Sequence, residues 1–226
     1  MFRSVEPEWL DTLEAADPRA QRARRDLKLV NFIMGNASAV ARALAPALRD
    51  GARIADLGAG DGTFMLRVAR KMQPRRVALV LVDRAGAISA ETIAQFRELQ
   101  WNATPLAADA IDWLERERAA FAAITANLFL HHFAPSALER LLELVGARTR
   151  LFIACEPRRS QAALLASRAL GLLGCGRETR HDAVVSVRAG FQGRELSAAW
   201  PIVTGWELEE RASGPFSHLF TARHRV

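Results

Sequence analysis

The chain has little cysteine, almost no lysine and no long apolar run. Its 226 residues include two cysteines, Cys155 and Cys175, with neither metal-site spacing nor a disulfide framework. Two reduced thiols in a cytoplasmic protein are the expectation. No apolar stretch is long enough to span a bilayer. The opening "MFRSVEPEWLDTLEAADP" carries acids and no apolar segment, which is not the pattern of a secretory signal. There is no internal repeat and no low-complexity linker, so one domain with decoration is expected. Lys28 and Lys71 are the only lysines, and arginine supplies the rest of a formal net charge of +6. A basic balance can suit nucleic acid. Here the arginines are scattered, apart from "RARR" (Arg22 to Arg25) and "EPRR" (Arg158, Arg159). Arginine beside abundant alanine fits a GC-rich, bacterial codon bias equally well. A nucleic-acid partner is not expected.

What is present is a change of period. The first fifty residues read as helices: Ala23, Leu27, Val30 and Met34 follow helical spacing, then Val40, Leu44 and Leu48, with Gly51 as a stop. From Arg53 the chain alternates. "RIADL", "RVALVLVD", "ATPLAAD", "FAAITANLF" and "RLFIACEP" read as strands. Each is followed by a helical stretch. Five such units imply a parallel sheet covered on both faces, and continuous apolar strands agree with burial on both sides. The end, "GWELEERASGPFSHLFTARHR", has two alternating segments around Ser213, Gly214 and Pro215, as in an antiparallel hairpin. Before it, residues 174–201 are too long for a simple connection, and long connections in compact domains are usually functional.

"IADLGAGDGTF" (Ile54 to Phe64) places Gly58, Gly60 and Gly62 where the first strand turns into a helix. Ligands of open parallel sheets bind at the carboxyl ends of strands, and glycine there permits close backbone approach. Two ligand classes compete. A dinucleotide loop wants a third glycine at position 63, which is Thr63. The pattern is instead D-x-G-x-G-x-G from Asp56 to Gly62. It resembles the nucleotide loop of class I S-adenosylmethionine-dependent methyltransferases, and the resemblance runs well from Arg53 to Pro157.

That resemblance implies a Rossmann-like α/β fold: a seven-stranded, mostly parallel sheet with a C-terminal antiparallel hairpin, helices on both faces and an N-terminal helical cap. The cap would be residues 1–50. The cofactor domain would be 51–226, with an acceptor-covering insert at about 174–201. The cofactor is S-adenosyl-L-methionine, with S-adenosylhomocysteine as product. Gly58, Ala59, Gly60, Asp61 and Gly62 would pass beside its methionine part and ribose. Asp83, followed by Arg84, would accept from the ribose hydroxyls. Asp109 and the amide of Ala110 would hold adenine. Backbone groups of Asn127 and Leu128 would hold the amino-acid end, with Asp56 acting on its ammonium group.

The chain also resembles small-molecule methyltransferases of the ubiquinone and menaquinone biosynthesis type in "LHHF", and polyketide-associated bacterial relatives in "EPRRS", "TRHDAVVSVRAGF" and "GPFSHLF". A small aromatic or polyketide-like acceptor, methylated on oxygen, is the expectation. Methylation of carbon on a quinol-like ring is the nearest rival, and an RNA or protein substrate is another class. A phenol with a pKa of about 10 needs a base near neutral pH, and histidine titrates in range. His131 and His132 follow the fourth strand, where adjacent residues point to different sides, so only one of them is expected to reach the cleft. His181 lies beside Asp182, which either orients its ring or caps "AVVSVRAG". His218 begins the last strand, and His224 is solvated. Arg180 and Arg188 either hold an acid group or lie at the surface. Phe129, Phe133, Phe191, Trp200 and Phe216 either wall the acceptor or belong to the core. "RARRDLKLVN" either closes over the cofactor with Asn31 inward or is an amphipathic surface helix. No metal site is expected, since the fourth strand ends in Asn127 and not an acid. Oligomeric state is not written in the sequence.

Overall fold

The computed structural model describes residues 1–13, 17–19, 22–23, 25–26, 30, 34–73, 75–86 and 88–225. Asn31 and Leu27 lie outside them. The alternating segments form β1 (Ala52–Leu57), β2 (Val77–Asp83), β3 (Trp101–Ala107), β4 (Ala123–Asn127) and β5 (Leu151–Pro157). The closing hairpin is β6 (Trp206–Ser213) and β7 (Ser217–His224). One seven-stranded sheet results, ordered β3-β2-β1-β4-β5-β7-β6. β3, β2, β1, β4 and β5 pair in parallel, whereas β7 runs antiparallel to both β5 and β6. The order reverses between β1 and β4, which opens a crevice at their carboxyl ends.

The helices are α1 (Trp9–Thr12), α2 (Asn36–Leu44), α3 (Thr63–Ala69), α4 (Ala90–Glu98), α5 (Ala110–Arg116), α6 (Pro135–Arg148), α7 (Gln161–Ala169), α8 (Arg177–Ala189) and α9 (Glu195–Ala199). Successive strand residues serve opposite faces, as the two-residue period demands. Ile54, Leu79, Leu81 and Ile153 pack against α2, α3 and α4. Ala55, Leu57, Val82, Ile124 and Phe152 pack under α5, α6 and α9. Entry into helices follows local chemistry. The Ser89 and Ser160 hydroxyls accept from Thr92 N and Ala163 N, both at 3.1 Å, and Pro135 begins α6.

Residues 1–8 form neither helix nor strand, where the sequence suggests helices. They run as a strap beside α8. Ser4 N donates to Arg188 O at 3.2 Å, and Arg3 Nε to Ala189 O at 2.8 Å. Helix α8 begins at Arg177, earlier than the sequence suggests, so Asp182 sits within it and caps nothing of its own. Its carboxylate instead accepts from Trp9 N (2.8 Å) and Leu10 N (3.0 Å), the first amides of α1. Among the described residues no helix is long and apolar enough to cross a membrane.

Candidate active site

The glycine loop leaves β1 at the switch point, tied down by Gly58 N and Ala59 N donating to Val82 O at 2.9 and 3.1 Å. Gly58 has φ +68°, and a Cβ there would lie 2.3 Å from Phe129 Cδ2. The side chain excluded at Gly58 therefore makes room for a neighbouring ring. Gly60, at φ +57°, is different: a Cβ would meet nothing within 4 Å, and the residue is exposed. Open space lies over Gly60. Gly62 is buried at the start of α3, where the Asp61 carboxylate accepts from Thr63 N (3.1 Å) and the Thr63 hydroxyl (2.6 Å).

Three acids surround this loop. Asp83, at the end of β2, accepts from Gly60 N at 2.8 Å through one oxygen and from Ala85 N at 2.8 Å through the other. Asp109 caps α5, accepting from Ile111 N at 2.8 Å through Oδ1. Its Oδ2 faces Arg84 Nε at 3.7 Å, across the exposed ends of β2 and β3. Ala110, next along, is buried. Asp56 lies beneath the loop with 2% exposure and accepts from the Thr125 hydroxyl at 2.6 Å. Burial pushes its pKa up to about 7; the Thr125 hydrogen bond opposes this and the charge of Asp83 adds to it.

Beyond β4 the chain turns sharply. Leu128 has φ +51°, in the left-handed region that L side chains disfavour. Its amide donates to Cys155 O at 3.0 Å. Glu156, fully buried at the end of β5, gathers the next residues: it accepts from Phe129 N and Leu130 N at 3.0 Å and from His131 N at 3.4 Å. Its Oε2 also meets His131 Nδ1 at 2.8 Å. Residues Leu130–His132 form a 3-10 turn, so the expectation that His131 and His132 diverge is overturned. Adjacent residues in such a turn are separated by about a third of a rotation, not half. Their rings lie 4.1 Å apart, His131 buried and His132 exposed.

Glu8 of the strap reaches the same place. Its Oε1 is 3.5 Å from His131 Nε2 and accepts from the Ser186 hydroxyl. Burial alone would lower the His131 pKa, but Glu156 and Glu8 outweigh it and raise it to about 9. Burial alone would raise that of Glu8, but His131, His132 and Ser186 hold it below the ordinary value.

His181 stacks on Trp9, with ring centroids 3.8 Å apart and planes 10° apart, and its Nδ1 is 3.0 Å from Asp182 Oδ1. His218 is placed elsewhere, buried in the hairpin with Nε2 at 2.7 Å from Glu210 Oε1. Phe191 and Trp200 are core residues, 1% and 3% exposed, while Phe129 and Phe133 meet edge to face at the turn. Phe216 is half-buried beside the cluster joining α7 and α8. Arg180 is exposed, and Arg188 is half-buried.

Behind the crevice runs a polar chain. The Ser217 hydroxyl donates to Asn36 Oδ1 at 2.5 Å, and Asn36 Nδ2 donates to Asn127 Oδ1 at 3.0 Å. Asn36 and Ser217 are 0% exposed. The chain thus occupies the amide oxygen of Asn127. Glu8, Asn36, Glu156 and Ser217 join the candidate site through these bonds, and no motif in the sequence marks them.

Residues 54–150 match the methyltransferase domain family. They are the matched part of a class I S-adenosylmethionine-dependent methyltransferase domain, whose sheet runs on to β7. No curated protein sequence matches the chain. The methyltransferase domain and its flanks share their fold with the plantazolicin methyltransferase BpumL, solved in complex with SAH. The identity is 13% and the TM-score 0.65, over 93% of this chain and 92% of that one. N,N-8-amino-8-demethyl-D-riboflavin dimethyltransferase (RosA) from Streptomyces davawensis is 17% identical, with a TM-score of 0.61, over 96% of this chain and 62% of that one. Magnesium protoporphyrin IX methyltransferase (ChlM) from Synechocystis PCC 6803, with bound SAM, is 12% identical, with a TM-score of 0.53, over 96% of this chain and 88% of that one. At these identities the likeness is one of fold.

Proposed function

We propose that the chain transfers the methyl group of S-adenosylmethionine to an oxygen of a small aromatic or polyketide-like acceptor. The observation that carries the donor site is the pair of acids, Asp83 and Asp109, at neighbouring strand ends beside the open face of Gly60. On binding, the ribose hydroxyls would take the place of the Gly60 and Ala85 amides on Asp83, and adenine would lie by Asp109 and Ala110. The methionine part would run past Gly58 to Asn127 and Leu128.

The acceptor would lie between the turn after β4, the strap and α8. Residues 1–13 and the 174–201 segment would cover it. Such a cover suits a small acceptor better than a polymer, and magnesium protoporphyrin IX, after which one of the similar structures is described, is a small molecule. Transfer breaks the sulfonium carbon–sulfur bond and forms an oxygen–carbon bond. The acceptor's proton goes to a base, and S-adenosylhomocysteine leaves. The enzyme's main contribution is alignment and exclusion of water. His181 is the candidate base. Asp182 engages one ring nitrogen, which leaves Nε2 to take the proton. His131 already sits between two carboxylates and serves better as a fixed element of the turn.

Calorimetric titration with S-adenosylmethionine, and separately with NADH, tests the donor site. Binding of the former alone supports it; binding of neither removes it. Asp83→Ala should weaken donor binding on the order of tenfold or more, as loss of a hydrogen-bonded charged group would. His181→Ala should lower the rate of S-adenosylhomocysteine release on phenols about 100-fold while leaving donor affinity nearly intact. A product that keeps every hydroxyl free would favour methylation of carbon. Acceptor affinity that falls steeply with salt would favour RNA.

A further inference from the structure

We propose that Glu8, His131 and His132 form a binding site for a divalent first-row cation of the Zn2+ type. Their ligating atoms lie within 4.8 Å of one another. Two imidazoles and one carboxylate are a donor set that such ions take, commonly with a further position open to water or substrate.

The spacing suits two ligands of one ion as well as it suits an ion pair. Glu8 Oε1 and His131 Nε2 are 3.5 Å apart. Charge-assisted hydrogen bonds close to about 2.7–2.9 Å. Two ligands on one tetrahedral zinc, each about 2.0–2.1 Å from it, sit about 3.4 Å apart. The surroundings are organised in the same sense. Glu156, wholly buried, holds His131 Nδ1 at 2.8 Å and so fixes the ring with Nε2 turned toward Glu8. A carboxylate behind a ligating histidine is the usual partner that sets its tautomer and orientation. The Ser186 hydroxyl donates to the same Glu8 oxygen, Oε1, and so helps to fix it. His132 is the exposed member, and its ligating nitrogen lies within 4.8 Å of those of Glu8 and His131. The site joins segments more than a hundred residues apart, so a bound ion would pin the strap to the turn after β4. Its open position would face the acceptor side and could hold an oxygen there. That last role rests on the methyl-transfer reading; the ion site itself does not.

The test is a calorimetric titration of chelator-treated protein with Zn2+, without donor or acceptor. The expected result is one equivalent bound, with affinity cut on the order of 100-fold in Glu8→Gln and in His132→Ala. Glu156→Gln, which removes the partner behind His131, should cost about 10–100-fold. His224→Ala, at the exposed far end of β7, should change nothing. His132 is exposed, so its variant should fold normally. Circular dichroism checks this for each protein. Absence of stoichiometric binding, or binding kept in folded His132→Ala or Glu8→Gln, overturns the site. Loss of Zn2+ binding with intact S-adenosylmethionine binding would not touch the donor-site reading.

Discussion

At the scale of single residues, two positions carry stored cost. Gly58 combines φ +68° with a phenylalanine ring where its Cβ would be. Gly58→Ala should lose about 2–4 kcal/mol, from left-handed strain and overpacking together. A thermal melt reads it directly. Phe129→Ala in the same chain should recover part of that loss, because the clash is with that ring; a purely additive double mutant would contradict the contact. Asp56 is the second position. Its folded pKa of about 7 lies above the ordinary carboxylate value. The folded chain therefore keeps a proton that the unfolded chain releases. From about pH 4 to pH 7 the unfolded state binds fewer protons, so stability falls as pH rises through that window and levels off above it. The full window amounts to roughly 4 kcal/mol. The groups that face the carboxyl are the Thr125 hydroxyl and, through its charge, Asp83. Asp56→Asn should erase this contribution. Urea midpoints of wild type and variant, compared at pH 5 and pH 7.5, decide it. An identical pH dependence in the two would rule the explanation out.

At the scale of elements, Asp182 shows how one side chain can serve a helix that is not its own. It terminates α1 and positions His181, which in turn carries Trp9 on its ring. Asp182→Ala should cost about 1–2 kcal/mol, in the range of a lost cap. The loss should appear as faster hydrogen exchange at Trp9 and Leu10, not across the sheet. Unchanged exchange there would mean that the strap is held by other contacts. The same element explains what the sequence made legible. Strands such as "RVALVLVD" and "RLFIACEP" are buried on both faces, so they show as unbroken apolar runs that need no partner to be recognised. The glycine loop and the acids Asp83 and Asp109 were legible because they recur at strand ends, which the alternation already located. The turn after β4 was not. Its geometry depends on Glu156, 25 residues away, and on Glu8 of the strap, whose hydroxyl partner Ser186 is 178 residues on. Asn36 and Ser217, 181 residues apart, are equally silent. A single polar letter carries no period, and its meaning comes only from what folding places opposite it. Read as part of an extended strand, His131 and His132 diverge. The left-handed Leu128 and the 3-10 turn that follows bring them to one side.

At the scale of the whole molecule, the two halves of the crevice are built differently. The proposed donor half, with Gly60, Asp83 and Asp109, is made by the β1–β2–β3 side of the sheet and its own loops. Among the described residues, the backbone of Ser4 and the side chains of Arg3 and Glu8 bond to α8 and to the turn after β4. The proposed acceptor half depends on the strap. Arg3 alone donates to the carbonyls of Ala189 and Phe133, at 2.8 and 2.9 Å, which joins α8 to the end of the turn after β4. Residues 1–13 contribute little to the sheet core, whose two faces are filled by α2 onward. Removing residues 1–13 should therefore leave a folded protein with nearly unchanged S-adenosylmethionine affinity. Methyl transfer should fall on the order of 100-fold, since a misplaced turn spoils alignment and an uncovered crevice admits water. Calorimetry gives the first quantity and S-adenosylhomocysteine release the second. If both fell together, the strap would belong to the donor site. If neither fell, the acceptor would lie elsewhere on the molecule, and the cover formed by the strap and α8 would have no part in the reaction.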